Sequence, residues 1–237
     1  MEVDICFSPA LYPFYQQEKD TVVVVDIFRA STTICTMFHN GVKAVIPVST
    51  VDEALSFKQK GFIVGGERNA CKLEFADFGN SPHEYTKEAI RNKEVVFTTT
   101  NGTRAIDAAK ESGLVLVGAF SNIDAIADKC IQVGNRVVIL CAGWKNRVNV
   151  EDTLFGAALA LKIKEQTKLH NHSDSLRMAL DLWEKAKDDI YNYIKSTEHF
   201  QRLVKSNADG DIPYCLTSNI TNCVPVFDTS TGKLILG

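Results

Sequence analysis

Val22-Val23-Val24-Val25-Asp26-Ile27-Phe28-Arg29-Ala30-Ser31-Thr32-Thr33 decides the fold. Consecutive valines are stiff at χ1 and favour extended backbone, and an unbroken apolar run has both faces covered. The run ends on a carboxylate, and Ser31 and Thr32 then supply hydroxyls where a helix can begin. Residues 21–27 read as a buried strand and 32–39 as the helix that follows it. The same alternation recurs along the chain. Strands are expected near 3–7, 44–48, 62–65, 94–99, 114–118 and 136–140, with helices near 51–60, 84–91, 104–111, 123–132 and 151–165. The fold class is α/β: a layered α/β/α arrangement around a largely parallel or mixed sheet. Residues 173–206 read as two amphipathic helices without a chemical motif, suited to packing or a dimer contact. The turn Asp228-Thr229-Ser230-Thr231-Gly232 joins two short apolar runs and closes the chain as a β-hairpin. Residues 1–237 read as a single domain, with lobes divided at about 92 and 93 as a variant.

The chain has 237 residues, 45% of them hydrophobic, and a formal charge of −3, so no global field draws it to nucleic acid or to an anionic membrane. Seven cysteines, an odd number without a C-x-x-C pair, read as reduced thiols of a cytoplasmic protein. Acids at Glu2 and Asp4 stand where a signal peptide would be basic, and no apolar run is long enough to span a membrane.

Four strands end in polar clusters, and ligands of open α/β sheets bind beyond strand carboxyl ends. The first cluster holds Asp26, Arg29, Ser31 and Thr32 at a helix start suited to phosphate. Gly65-Gly66-Glu67-Arg68 is expected just after the next, and Asn80 and Ser81 lie in a polar turn downstream of it. Thr98-Thr99-Thr100-Asn101-Gly102-Thr103-Arg104 packs hydroxyls, an amide, a glycine and a guanidinium into one strand-to-helix turn. Such a turn can cradle an anion while Arg104 adds a bidentate fork. The fourth cluster runs Cys141-Ala142-Gly143-Trp144-Lys145-Asn146-Arg147, followed by Glu151 and Asp152 at a helix start. Those acids act as partners of the helix dipole or, with other carboxylates, as ligands of a hard divalent cation. A weak internal echo relates 23–30 to 96–105, as two half-sites of one cleft or by chance.

Two other phosphatase chemistries leave partial marks. The spacing Cys141-x5-Arg147 resembles the protein-tyrosine-phosphatase loop, but Leu140 stands where that loop has His and Val148 where it has Ser or Thr. The haloacid-dehalogenase motif needs a second aspartate two residues after the first, where Asp26 is followed by Ile27 and Phe28.

Taken in order, VVVVDIFRASTTI, GGER, FGNSP, TTTNGTRA, CAG and the following ED resemble the 2-phosphosulfolactate phosphatase family over most of the chain. The resemblance implies a phosphoric monoester hydrolase that uses Mg2+ to release phosphate from 2-phospho-3-sulfolactate. It also implies a soluble homodimer of coenzyme M biosynthesis. Asp26, Arg29, Ser31, Thr32, Glu67, Arg68, Asn80, Ser81, Asn101, Gly102, Thr103, Arg104, Glu151 and Asp152 occupy the family's motif positions. We assign catalysis to Asp26, Glu67 and Arg104, and substrate binding to the remaining polar turn residues, Thr100 included. Metal binding falls to Asp26, Glu67, Glu151 and Asp152. Asp211-Ile212-Pro213-Tyr214-Cys215 and Val224-Pro225 resemble the family's closing segment, between which acids often lie where this chain has Asn219 and Asn222. A substrate bearing phosphate, sulfonate and carboxylate on three carbons requires several cations, with Arg29, Arg68, Arg104, Lys145 and Arg147 as candidates. The alternatives are a non-catalytic binder of phosphorylated metabolites and a cysteine phosphatase built on Cys141 and Arg147.

Overall fold

In the computed structural model, which describes residues 1–170 and 173–237, the valine run is a strand buried along its whole length. In chain order the first elements are β1 (Val3–Cys6), β2 (Thr21–Val25), α1 (Ala30–His39), β3 (Ala44–Pro47), α2 (Val51–Gln59), β4 (Ile63–Arg68) and β5 (Cys71–Lys72). Then come α3 (Lys87–Ile90), β6 (Glu94–Thr98), α4 (Gly102–Ala109), β7 (Leu114–Gly118), α5 (Ile123–Val133), β8 (Val137–Cys141) and α6 (Val150–Gln166). The chain ends with α7 (Asp174–Ala186), α8 (Ile190–Ile194), α9 (Glu198–Lys205), α10 (Ile212–Cys215), β9 (Pro225–Asp228) and β10 (Lys233–Leu236).

All ten strands form one mixed sheet in the order β1-β8-β2-β7-β9-β10-β3-β6-β4-β5. Two parallel runs, β1-β8-β2-β7 and β3-β6-β4, are joined through the C-terminal hairpin, whose β9 pairs antiparallel with β7 and whose β10 pairs antiparallel with β3. The strand period of two sorts the valines of β2 between two cores. Val23 and Val25 pack under α5, α6 and α7, whereas Val22 and Val24 join a second core. That second core also takes Ile34 and Phe38 of α1, Ala105 and Ile106 of α4, and Val45, Val95 and Phe97 of the other parallel run. Thus α1 and α4 fill a layer shared by both runs, and α2 covers the far face of the second run, over Ile46, Val64 and Val96. The α/β layering and the closing hairpin stand as the sequence indicates.

The three antiparallel pairings at the hairpin make the two parallel runs point oppositely in the local sense of the sheet. Sheet twist of about 20–25° per strand, taken over the five steps from β2 to β6, accumulates roughly 100–125°. The turns that follow β2 and β6 nevertheless meet, at Gly102 against Ala30 and Asp26. The hairpin turn is fixed by Asp228, whose carboxylate accepts from the Ser230 amide at 3.0 Å and from the Ser230 and Thr231 hydroxyls, each at 2.7 Å.

Three local expectations change. Gly65-Gly66-Glu67-Arg68 lies inside β4, because Gly65 and Gly66 extend the parallel ladder to Phe97 and Thr98, and Glu67 and Arg68 pair with β5. The helix expected over 84–91 splits into a 3-10 turn (Pro82–Glu84) and α3. Tyr85 forces the break: its hydroxyl donates to the Gly79 carbonyl at 2.7 Å, and Asn40 donates to its carbonyl at 2.7 Å. The span 173–206 holds three helices, because Asp189 and Thr197 each cap a new start through the amides of Asn192 and Phe200.

Candidate active site

Asp26 follows β2 directly, and its carboxylate lies near the first turn of α1, where Ser31 and Thr32 close the turn on itself. The Asp26 amide donates to Ser31 Oγ at 3.1 Å, and the Thr32 hydroxyl donates to the Ile27 carbonyl at 3.1 Å. Both hydroxyls are buried and frame the turn; neither lines the cleft described below. The peptide between Phe28 and Arg29 is cis. Asp152, in the first turn of α6, accepts from the Ile27 amide at 2.9 Å and from the Gly143 amide at 3.1 Å, which ties the ends of β2 and β8 together.

Glu67 does the same for the other run. It accepts from the Thr100 amide at 2.7 Å, the Thr100 hydroxyl at 3.1 Å and the Ala70 amide at 2.7 Å. Thr103 and Thr99 bond each other's amides at 3.2 Å, so these threonines serve the turn. The two helix starts touch at Gly102, where a Cβ would stand 2.6 Å from Ala30 Cβ and 2.9 Å from Asp26 Oδ2. The related segments 23–30 and 96–105 therefore meet face to face, and a glycine is required at their contact.

The strand ends open into a solvent-connected cleft of about 160 Å³. Asp26, Glu67, Thr100 and Asn101 line it from the strand ends as one wall; His199, Arg202 and Lys205 line it from α9 as another; Phe28, Arg29, Asn80 and Trp144 also contribute. Arg29 is pinned by Asp211 through Nη1 at 2.6 Å, and Ser81 donates to the other oxygen of Asp211 at 2.7 Å. Glu151 is fully buried behind the cleft, with Oε1 2.5 Å from His199 Nδ1 and Oε2 without a hydrogen-bond partner. Asn149 reaches the same ring nitrogen at 3.1 Å.

Burial pushes the Asp26 carboxyl up to about 7; His199 opposes the rise, Glu67 and Glu151 add to it, and the Ala30 backbone opposes it. Asp152 is raised well above the carboxylate range, first by burial and then by Glu151 and Asp26, against its two amide donors. Negative charge is thus concentrated at the strand ends beyond what the local cations neutralise. Among the described residues, no three His, Cys, Asp or Glu side chains stand together as a metal site. Glu67 and Asp152 spend both carboxylate oxygens on protein donors, whereas Glu151 Oε2 is buried and unpaired and Asp26 is poorly compensated. Magnesium takes one or two carboxylates and completes its shell with water and phosphate oxygens, so Asp26 and Glu151 fit it where a four-acid cage is not formed.

The cations are distributed otherwise than the strand-end clusters suggest. Arg29 lines the cleft. Arg68 is spent on the Glu67 and Ser49 carbonyls and the Thr98 hydroxyl, at 2.7, 3.3 and 2.8 Å. Arg104 is exposed on the first turn of α4 and lines no part of the cleft. Arg202 and Lys205 of α9 take their place, from a segment whose composition suggests only packing. A charged amphipathic helix carries no local mark of this role; the spacing of His199, Arg202 and Ser206 on one helical face is its faint signal. Cys141 is fully buried, its thiol raised well above the usual range by burial and by Asp152, and Arg147 is exposed outside the cleft, which removes the pairing a cysteine phosphatase needs. Asn219 donates to Asp124 at 2.7 Å near the start of α5 and does not line the cleft. No helix among the described residues is long and apolar enough to cross a membrane.

A family model described as 2-phosphosulpholactate phosphatase matches residues 6–230. A protein of Clostridium botulinum named as a probable 2-phosphosulfolactate phosphatase is 35% identical over 235 residues, covering 96% of this chain and 97% of its own length. One of Clostridium acetobutylicum with the same name is 33% identical over 238 residues, covering 99% of this chain and all of its own. A third, of Caldanaerobacter subterraneus, is 35% identical over 212 residues and 88% of each chain. The chain belongs to the 2-phosphosulfolactate phosphatase family.

Proposed function

We propose that this cleft hydrolyses the phosphate monoester of 2-phospho-3-sulfolactate to 3-sulfolactate and inorganic phosphate, with magnesium as cofactor. Family membership supports the reaction, and the observation that carries it to this site is Asp26, a buried carboxylate at a strand end that lines an anion-sized cleft beside Arg29. Asp26 and Glu151 would hold the ion, which when bound neutralises charge developing on the phosphoryl oxygens.

The protein's own groups account for the proton movements. Asp26 orients the attacking water and accepts its proton as the new P–O bond forms and the ester P–O bond breaks. His199 has Nδ1 engaged by Glu151, and we assign to its Nε2 the role of giving a proton to the departing alkoxide oxygen. Arg29, held by Asp211, meets the phosphate with the donors that Asp211 leaves free.

The test is phosphate release from 2-phospho-3-sulfolactate in magnesium, with and without a chelator. Metal-dependent release is the expected outcome. Saturable binding of the ester without release identifies a non-catalytic binder instead.

A further inference from the structure

Three features of the α9 wall converge on one side chain. Arg202 lies with its guanidinium carbon 3.9 Å from the centre of the Trp144 ring, while Lys145 sits over the same ring at 4.6 Å. The turn that presents Trp144 is rigid: Trp144 and Arg147 exchange backbone hydrogen bonds at 2.9 Å, and the Lys145 amide donates to Asn101 at 3.1 Å. Gly143 permits it, since a Cβ there would stand 2.1 Å from the Arg147 carbonyl oxygen. The Arg202 guanidinium is also divided in its contacts. Nη1 meets Glu198 at 3.1 Å, and Nη2 is buried without a hydrogen-bond partner. Burial outweighs Glu198 and Glu151 in lowering its pKa, so this cation stands under-compensated in an anion-binding cleft.

We propose that Arg202, stacked on Trp144, is the specificity determinant that receives the distal acid of the substrate, the sulfonate. This rests on the reading of the cleft as a 2-phosphosulfolactate phosphatase site. Arg29 follows Asp26 closely in the chain and is fixed by Asp211, which places it with the phosphate. Arg202 comes from a separate element and lines the same cleft with Lys205, so the cleft offers a substrate with two anionic groups cations from two elements. A planar guanidinium offers paired N–H donors to sulfonate oxygens, and stacking on an indole fixes its plane without using those donors.

The experiment compares kcat/KM for 2-phospho-3-sulfolactate and for 2-phospholactate, which keeps phosphate and carboxylate and replaces the sulfonate by hydrogen. In Arg202→Gln, the ratio of the two values is expected to fall roughly 10- to 100-fold, the loss of one charge-assisted hydrogen bond. Arg202→Lys should recover part of that ratio. Equal losses on both substrates overturn the proposal, and turnover of 2-phospholactate shows that the variant is folded. A second measurement stands apart from catalysis: the chain has two tryptophans, so in a Trp183→Phe background the fluorescence reports Trp144. Titration with 3-sulfolactate should give a saturable change that lactate does not, and Arg202→Gln should abolish it. A change common to both ligands, or absent with both, overturns the assignment even where the parent hydrolyses the ester. Discrimination in fluorescence by a parent that turns over neither ester would overturn the phosphatase reading and leave the sulfonate subsite standing.

Discussion

The two walls of the cleft are built by opposite means. On the strand-end wall Glu67, and behind it Asp152, are fixed by backbone amides, so their positions follow from the sheet and the helix starts. On the α9 wall the cations are fixed by side chains, through an aromatic stack, a Glu198 contact and a His199–Glu151 pair. A wall set by backbone donors is costly to alter and tolerates buried charge; a wall set by side chains can change its selectivity with little cost to the fold. Asp26 belongs to the first wall in position but not in compensation, because burial, and then the neighbouring acids, raise its pKa.

Asp26→Asn sharpens this contrast most. It should lower turnover roughly 10²- to 10⁴-fold, the range of one positioned acid or base, and weaken magnesium dependence while the fold persists. Cys141→Ser, at a buried thiol without a role in the cleft, should retain most of the turnover, and a chelator should abolish it in both parent and variant. Steady-state kinetics over a magnesium series check both.

Glu67→Ala should act on stability instead. It removes the acceptor of the part-buried Thr100 and Ala70 amides, and two lost hydrogen bonds at about 0.5–1.5 kcal/mol each should shift urea unfolding by roughly 1–3 kcal/mol. A shift near zero would break the distinction between the walls.

The pH dependence of stability follows from Asp26, whose folded value of about 7 lies above its ordinary 3.8. The folded state favours the protonated form, so the contribution of this group is fully present below about 4 and is lost as pH rises through about 7. With a chelator present, Asp26→Asn should flatten that part of the parent's stability–pH curve, read as thermal midpoints across the window.

Smaller effects are expected at the margins. Trp144→Ala should cost about 0.5–1 kcal/mol through the lost cation–π stack, checked by thermal unfolding. Arg104→Lys, at an exposed position outside the cleft, should leave stability within about 0.5 kcal/mol and kcat/KM close to the parent. A large kinetic loss there would return Arg104 to the phosphate.

The sequence by itself determined the strands, the layered α/β class and the polar turns at strand ends, because β-branched runs, caps and glycines act within a few residues of themselves. Asp26 stood out for the same reason: a carboxylate directly after four valines has few local explanations. Tertiary structure alone decided which polar groups are free for chemistry. Ser31, Thr32 and Thr103 satisfy their own turns, Arg68 is consumed by the neighbouring strands, and Arg104 is exposed and does not line the cleft. It also decided where the second set of polar groups comes from, since His199 and Arg202 lie 173 and 176 residues from Asp26 and meet its cleft through packing of α9 that no local pattern encodes. The C-terminal hairpin joins two oppositely directed parallel runs whose following turns meet at Gly102, and that contact is a property of the assembled sheet.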